Sequence, residues 1–316
     1  MSLPAVLENR LTIPVVASPM FIASGPDLVI AQCKAGIVGS FPALNARPAS
    51  MLGDWLDRIE EELAGTDAAP FAVNQIVHRS NSRLDEDMAT IVEHQVPIVI
   101  TSLGARPEIN EAVHSYGGIV LHDIINNTFA HKAIEKGADG LIAVATGAGG
   151  HAGTLSPFAL LQEIRAWFDG PLLLSGSIAH GRAVLAAQAA GADLAYVGSA
   201  FLATDEANVV DDYKQMIVES SADDIVYSNL FTGVHGNYLR GSIEAAGLDP
   251  RNLPEGDRST MDFGSGSTSE AKAWKDIWGA GQGLGVIDQT VPAAELVARL
   301  TREYEAARAD LLAAAR

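Results

Sequence analysis

Eight short runs of apolar, largely β-branched residues constrain the fold of this chain more than any other feature. They begin at Pro14, Gly36, Phe71, Ile98, Gly118, Gly140, Pro171 and Leu194. Near-continuous apolar runs are typical of strands buried on both faces, as parallel strands are, and the stretches between these runs have helical character. Alternating strands and helices of this number predict an α/β protein with a (β/α)8, or TIM, barrel, and an open doubly wound sheet is the alternative.

The barrel is predicted to span residues 1–204. Residues 205–288 are predicted to form a mostly helical insertion over the barrel mouth, with residues 205–239 mainly helical. Residues 289–316 are predicted to form a C-terminal helix that packs back on the barrel, because apolar residues recur there at helical spacing. Residues 249–269 are rich in Pro, Gly, Ser and Asp, which is typical of a loop, and whether that loop acts as a lid is left open.

Composition excludes several classes of function. The chain has 21 Lys and Arg against 39 Asp and Glu, a net charge of −18, which disfavours binding to nucleic acid or to an anionic membrane. The single cysteine, Cys33, excludes an intramolecular disulfide and a multi-cysteine metal site, and the histidine spacing predicts no metal site. The chain starts without a signal-peptide pattern, so a cytoplasmic protein is expected, either a monomer or a homodimer.

A glycine-rich segment with one histidine follows the sixth predicted strand. Residues 147–153 read GAGGHAG, so His151 lies among four glycines. Glycine lets the backbone approach a ligand closely and adopt positive φ angles. In a barrel, residues that directly follow the strands gather on the functional face. The position therefore indicates a functional histidine, and an exposed histidine in a flexible turn is the alternative.

Two further turns have the composition of a phosphate site. Ser175, Gly176 and Ser177 follow the seventh predicted strand, and Gly198 and Ser199 follow the eighth. The loops after these two strands form the recurrent phosphate site of such barrels, through backbone N–H groups, hydroxyls and a helix N-terminus. Ordinary strand-to-helix turns are the alternative, because Gly and Ser are common in them.

The same segments resemble the nitronate monooxygenase family, formerly called 2-nitropropane dioxygenases, whose members are FMN-dependent TIM-barrel flavoproteins. The resemblance is carried by ASPM at residues 17–20, GADGLIAVATGAGGHAG around His151, the stretch from Leu172 to Ala207, and WGAGQGLG from Trp278. These motifs occur in the family's order over nearly the whole chain.

The resemblance implies a set of site residues. Contacts with FMN are implied for Ser18, Pro19, Met20, Asn74, Gln75, Gly149, Gly150, Ser175, Gly176, Ser177, Gly198, Ser199, Gly279, Ala280 and Gly281. His151 matches the family's catalytic base or substrate-orienting group. The chain departs from the family twice, since relatives often have Gly-Gly at Gly176-Ser177, and a Lys or Thr where this chain has His122-Asp123. Asp123 is expected to point elsewhere or to be hydrogen-bonded.

The activity implied by the resemblance is FMN-dependent oxidation of alkyl nitronates by O2 to a carbonyl compound and nitrite. A neutral nitroalkane must first lose its α-proton, which requires a base such as His151. The alternative is an FMN-dependent reductase of the enoyl-acyl-carrier-protein or quinone type that uses NAD(P)H. A third hypothesis is a phosphate-binding barrel without a flavin, because the phosphate turns alone allow it.

Overall fold

The computed structural model describes residues 3–256 and 276–314. Its strands are β1 (Val15–Ala17), β2 (Gly39–Pro42), β3 (Phe71–Ile76), β4 (Ile98–Ser102), β5 (Ile119–Ile124), β6 (Gly140–Val144), β7 (Gly150–His151), β8 (Leu172–Ser175), β9 (Leu194–Val197), β10 (Ile225–Ser228) and β11 (Gly236–Leu239). Its α-helices are α1 (Pro26–Lys34), α2 (Met51–Leu63), α3 (Leu84–Glu93), α4 (Pro107–His114), α5 (Asn127–Glu135), α6 (Pro157–Arg165), α7 (Gly181–Ala189), α8 (Ser199–Leu202), α9 (Asp211–Glu219), α10 (Arg240–Ala245) and α11 (Ala293–Ala314). None of the helices described is both long enough and apolar enough to cross a membrane.

Eight parallel strands form a closed barrel. Their order is β1-β9-β8-β6-β5-β4-β3-β2. Val38 closes the ring between β2 and β1, because its N–H donates to the Val15 carbonyl at 3.3 Å and its carbonyl accepts from Ala17 N–H at 2.8 Å. Each of the eight apolar runs contains one of these strands. The predicted (β/α)8 barrel is therefore confirmed, and the open doubly wound sheet is excluded.

Side chains alternate between the barrel interior and the surrounding helices, as the two-residue period of a strand requires. The interior is filled by a buried apolar cluster that includes Val16, Ile98, Ile100, Leu121, Ile142, Leu173 and Leu194, with Leu7 from the N-terminal segment among its members. Residues of the opposite parity pack in the larger cluster between strands and helices. Toward the carboxyl end of several strands, the next inward-facing side chain is polar rather than apolar. The apolar core therefore gives way to a polar surface at the carboxyl ends of the strands.

The C-terminal helix α11 packs between α7 and α1, the place that the eighth helix of the barrel takes. Its contact with α7 is close at Gly181, whose N–H donates to the Glu303 carboxylate at 2.8 Å. A Cβ atom at Gly181 would overlap the Leu300 carbonyl oxygen and the Tyr304 backbone nitrogen. The two helices therefore approach each other through a backbone contact that only glycine permits.

The insertion differs from the prediction. Residues 205–239, expected to be mainly helical, contain α9 but also β10 and β11, which pair antiparallel. β11 also pairs antiparallel with β7, so the order of this second sheet is β10-β11-β7. The β-branched and aromatic residues of Ile225–Ser228 favour a strand over a helix, and this short run is the signal that the sequence interpretation missed. Residues 257–269 of the expected loop lie outside the described residues.

Gly181→Ala is expected to lower the free energy of unfolding by about 1–3 kcal/mol, because the added methyl group forces α11 away from α7. Gly285→Ala is the matched control, since a Cβ at that position has no atom within 4 Å. Urea unfolding of both variants measures the difference. Equal stability of the two variants would contradict the close packing of α11 on α7.

Candidate active site

A cavity of about 550 Å³ opens at the carboxyl ends of the barrel strands. This volume lies within the range of small-molecule and cofactor sites, about 300–1,000 Å³. It brings together residues from the two ends of the chain. Of the residues named from the sequence, the cavity is lined by Ser18, Pro19, Met20, Asn74, Gly149, Gly150, His151, Ser175, Gly176, Ser177, Gly198, Ser199, Gly279 and Gly281.

Gln75 and Ala280, the other two residues named for the cofactor, are not among the residues that line the cavity. Gln75 follows Asn74 on β3, so it faces the helices while Asn74 faces the barrel, and it is fully buried there. Ala280 is also fully buried. Its N–H donates to the Asn237 carbonyl at 3.2 Å, so it supports the cavity wall from behind.

The glycine-rich segment after β6 is in backbone contact with residues 279–282. Gln282 N–H donates to the Gly147 carbonyl at 2.9 Å, and Gly281 N–H donates to Ser199 Oγ at 2.8 Å. A Cβ at Gly149 would lie 2.8 Å from the Gly281 nitrogen. Glycine is therefore required on both sides of this contact, which joins the GAGG and WGAGQG motifs into one wall.

The turn after β8 has an unusual backbone. Gly176 has a φ of +138° and Ser177 a φ of +58°. A Cβ at Gly176 would lie 2.8 Å from the Thr146 carbonyl oxygen. Ser177 thus adopts the left-handed conformation that glycine reaches without strain. Ser199 Oγ accepts from Gly281, so its own proton can be donated to a ligand.

The cavity floor is a hydrogen-bonded polar network. Asn74 Nδ2 donates to Ser102 Oγ at 2.8 Å, and the Asp123 carboxylate is bonded by the Ser102 hydroxyl and by Leu103 N–H. Burial nevertheless raises the pKa of Asp123 to about 6. Asp123 lines the cavity and is hydrogen-bonded. Of the two expectations for this residue, that it points elsewhere or that it is hydrogen-bonded, the structure agrees with the second. Tyr196, whose hydroxyl is bonded to Ser18, completes the floor.

His151 is fixed by the second sheet. It lies in β7 and is paired with Gly236 of β11. Its Nε2 lies 3.0 Å from Thr232 Oγ1. Burial lowers the pKa of His151 to about 4, because the charged imidazolium is poorly solvated there. The imidazole is therefore neutral near pH 7 and can accept a proton or a hydrogen bond inside the cavity.

The outer wall of the cavity is mainly apolar. It includes Phe21, Ile22, Leu44, Leu103, Val210 and Trp278. Tyr213 stacks on Trp278 with ring centroids 4.9 Å apart, and its hydroxyl donates to the Gly279 carbonyl. Among the described residues, Arg47 contributes the sole Lys or Arg side chain of the lining. Trp274 lies outside the described residues.

Several of these residues were not found from the sequence. Tyr196 is predictable in principle, because strand alternation places it inward two positions before Gly198. Arg47 and Thr232 lie in loops, where no periodic pattern gives the direction of a side chain, and Tyr213 lies in the first turn of the short helix α9. Their part in the site emerges only from the tertiary structure.

Comparison with known proteins gives consistent results. The family model for nitronate monooxygenase matches residues 81–303. A nitronate monooxygenase from Paraburkholderia phytofirmans is 28% identical, over 92% of each chain. The crystal structure of a nitroalkane oxidase from Streptomyces ansochromogenes superposes with a TM-score of 0.84 at 24% identity, covering 97% of this chain and all of the other. FabK from Thermotoga maritima superposes with a TM-score of 0.78 at 24% identity, covering 98% and 97% of the two chains.

These two structural likenesses show the TIM-barrel fold alone. The family model covers more than half of the chain and includes the glycine-rich segment, both phosphate-type turns and the segment around Gly279–Gly281. The chain is therefore an oxidoreductase, and it belongs to the nitronate monooxygenase family.

Proposed function

We propose that the protein is an FMN-dependent enzyme that oxidises alkyl nitronates with O2 to a carbonyl compound and nitrite. The observation that carries the proposal is a half-buried His151 that lines the same cavity as two serine- and glycine-rich turns and is neutral near pH 7. The family supports oxidation of nitro compounds. Beyond this general reaction, we propose the cofactor, the oxidant and the roles of single residues.

The residues present fit FMN. Gly176, Ser177, Gly198 and Ser199 offer backbone and hydroxyl donors to its phosphate, which suits an acidic protein because such donors act locally. Pro19, Met20, Gly149 and Gly150 would line the space for the isoalloxazine ring, and Asn74 would offer a polar contact. Ser175, Gly279 and Gly281 close the pocket. When bound, FMN supplies the redox chemistry, and the protein supplies binding, orientation and electrostatics.

The chain's own residues prepare the substrate. Neutral His151 takes the α-proton of a nitroalkane, whereas a nitronate has already lost that proton and needs only to be oriented. Arg47 attracts the nitronate anion to the cavity. The apolar wall around Trp278 excludes water, which strengthens each polar interaction inside. Asp123 holds the floor network together through Ser102 and Leu103.

The FMN-loaded protein is expected to convert propyl nitronate and O2 to nitrite and an aldehyde without added NADH or NADPH. Oxygen-electrode and colorimetric nitrite assays on the same sample measure consumption and product together. Heat-denatured protein with the same FMN is the control for the free cofactor. Absence of nitrite above that control, with FMN bound, would contradict the proposed function.

His151→Asn is expected to lower kcat/KM for a neutral nitroalkane by roughly 100-fold or more, the usual scale for losing a general base. The loss with the preformed nitronate should be smaller, because no proton has to be removed. Steady-state kinetics with both substrates gives the comparison. His131→Asn on the exposed face of α5 is the matched control. Equal and small losses on both substrates would exclude His151 as the base.

A further inference from the structure

Asp123 supplies the one carboxyl group among the described residues that line the cavity. It lies in β5, two positions after Leu121, whose side chain belongs to the barrel interior. Side chains two positions apart in a strand share a face, so the Asp123 carboxyl also points into the barrel. It forms no ion pair with another described residue. A carboxyl group in a desolvated site without a counterion is costly, and such groups concentrate at functional sites.

Neutral hydrogen-bond donors hold this carboxyl in place. Asn74 Nδ2 donates to the Ile100 carbonyl at 3.1 Å and to Ser102 Oγ at 2.8 Å. Because Ser102 Oγ accepts from Asn74, its own proton is left for the Asp123 carboxylate. Leu103 N–H is the second donor. These bonds favour the charged carboxylate but bring no positive charge to it, so its negative charge is stabilised and not neutralised.

The backbone after β4 adopts a strained conformation where it provides the second donor. Leu103 has a φ of +61°, in the left-handed region that residues with a side chain rarely adopt. At the next residue, Gly104, a Cβ would lie 2.7 Å from the Val77 carbonyl oxygen. Val77 N–H in turn donates to the Ser102 carbonyl at 2.8 Å. Close packing against the loop after β3 thus holds Leu103 in this conformation, and backbone strain of this kind concentrates at functional sites.

The charge of Asp123 acts across the cavity floor. Burial and, after it, the charge of Asp123 raise the pKa of Tyr196. Arg47, the sole Lys or Arg side chain of the described lining, is bound to the outer wall instead. Its Nε donates to the Leu44 carbonyl at 2.9 Å, and its guanidinium carbon lies 5.3 Å from the centre of the Phe21 ring. The described part of the floor therefore carries a negative charge without a cation beside it.

We propose that Asp123 disfavours negative charge on the isoalloxazine ring of bound FMN and so keeps the reduction potential of the cofactor low. The identity of the cofactor rests on the proposed function, whereas the position and partners of the carboxyl do not. Reduction of FMN, and addition of an anion such as sulfite to it, both place negative charge on the ring, and charged groups nearby set the stability of those forms. An unpaired carboxylate in a desolvated cavity interacts with that charge far more strongly than it does in water.

Sulfite titration of the FMN-loaded protein at pH 8 tests the proposal without turnover, through the loss of flavin absorbance. Burial raises the pKa of Asp123 to about 6, so the carboxyl is ionised at this pH. Asp123→Asn keeps the shape and removes the charge, and it is expected to bind sulfite about 10-fold or more tightly than the wild type. Asp85→Asn, on the exposed side of α3, removes the same charge outside the barrel and is expected to match the wild type.

The pH dependence of the wild type gives a second measurement that needs no variant. As the pH falls from 8 to 5.5, Asp123 takes up a proton and loses its charge. The affinity for the sulfite dianion, corrected for the ionisation of sulfite itself, is therefore expected to rise several-fold. The other titratable groups beside Asp123 or in the described lining keep their charge over this range: His122, His151, Tyr196 and Tyr213 stay neutral, and Arg47 stays charged.

Three results would overturn the proposal. They are equal sulfite affinity in wild type and Asp123→Asn, no sulfite adduct in either protein, and a wild-type affinity that does not rise on acidification or rises equally in Asp123→Asn. Failure of the proposed function is a different result, in which Asp123→Asn binds sulfite more tightly as expected but the wild type produces no nitrite. A wild type that does not retain FMN would overturn both.

Discussion

The antiparallel pairing of β7 with β11 is the contact on which the candidate site depends. It pairs two residues of the glycine-rich segment after β6 with a neighbouring strand, where glycine itself adds conformational freedom and no side-chain packing. The pairing fixes His151 opposite Gly236. Further along β11, Tyr238 forms a bridge with Gly279 of the C-terminal motif. One short strand therefore connects His151 with the wall of the cavity.

Charge in this protein acts on two length scales. The net charge of −18 repels anions at a distance, yet the cavity combines features suited to a phosphate and an anionic substrate. Local dipoles resolve this conflict, because backbone N–H groups and hydroxyls at Gly176, Ser177 and Ser199 act over hydrogen-bond distances. Burial shifts the pKa values of two titratable groups of the cavity in opposite directions, because it raises the pKa of Asp123 and lowers that of His151. Both shifts favour the neutral form.

The sequence predicts the barrel well because buried parallel strands leave a simple pattern of apolar runs that end in small residues. It predicts the neighbourhood of the site because the residues that follow the strands must gather at one face. Gln75 shows the limit of this reasoning, since it neighbours Asn74 in β3 but faces the opposite side of the strand and does not line the cavity. Thr232 shows another limit, because its contact with His151 depends on the pairing of β11 with β7, strands 85 positions apart at the paired residues 151 and 236.

Anaerobic stopped-flow spectroscopy tests the central claim most directly. FMN-reconstituted protein is mixed separately with propyl nitronate, NADH and NADPH while the flavin absorbance is followed. The account predicts that the nitronate reduces the flavin rapidly and that neither pyridine nucleotide does so. Rapid reduction by NADH or NADPH, with no response to the nitronate, would contradict the account and assign the protein to the NAD(P)H-dependent reductases.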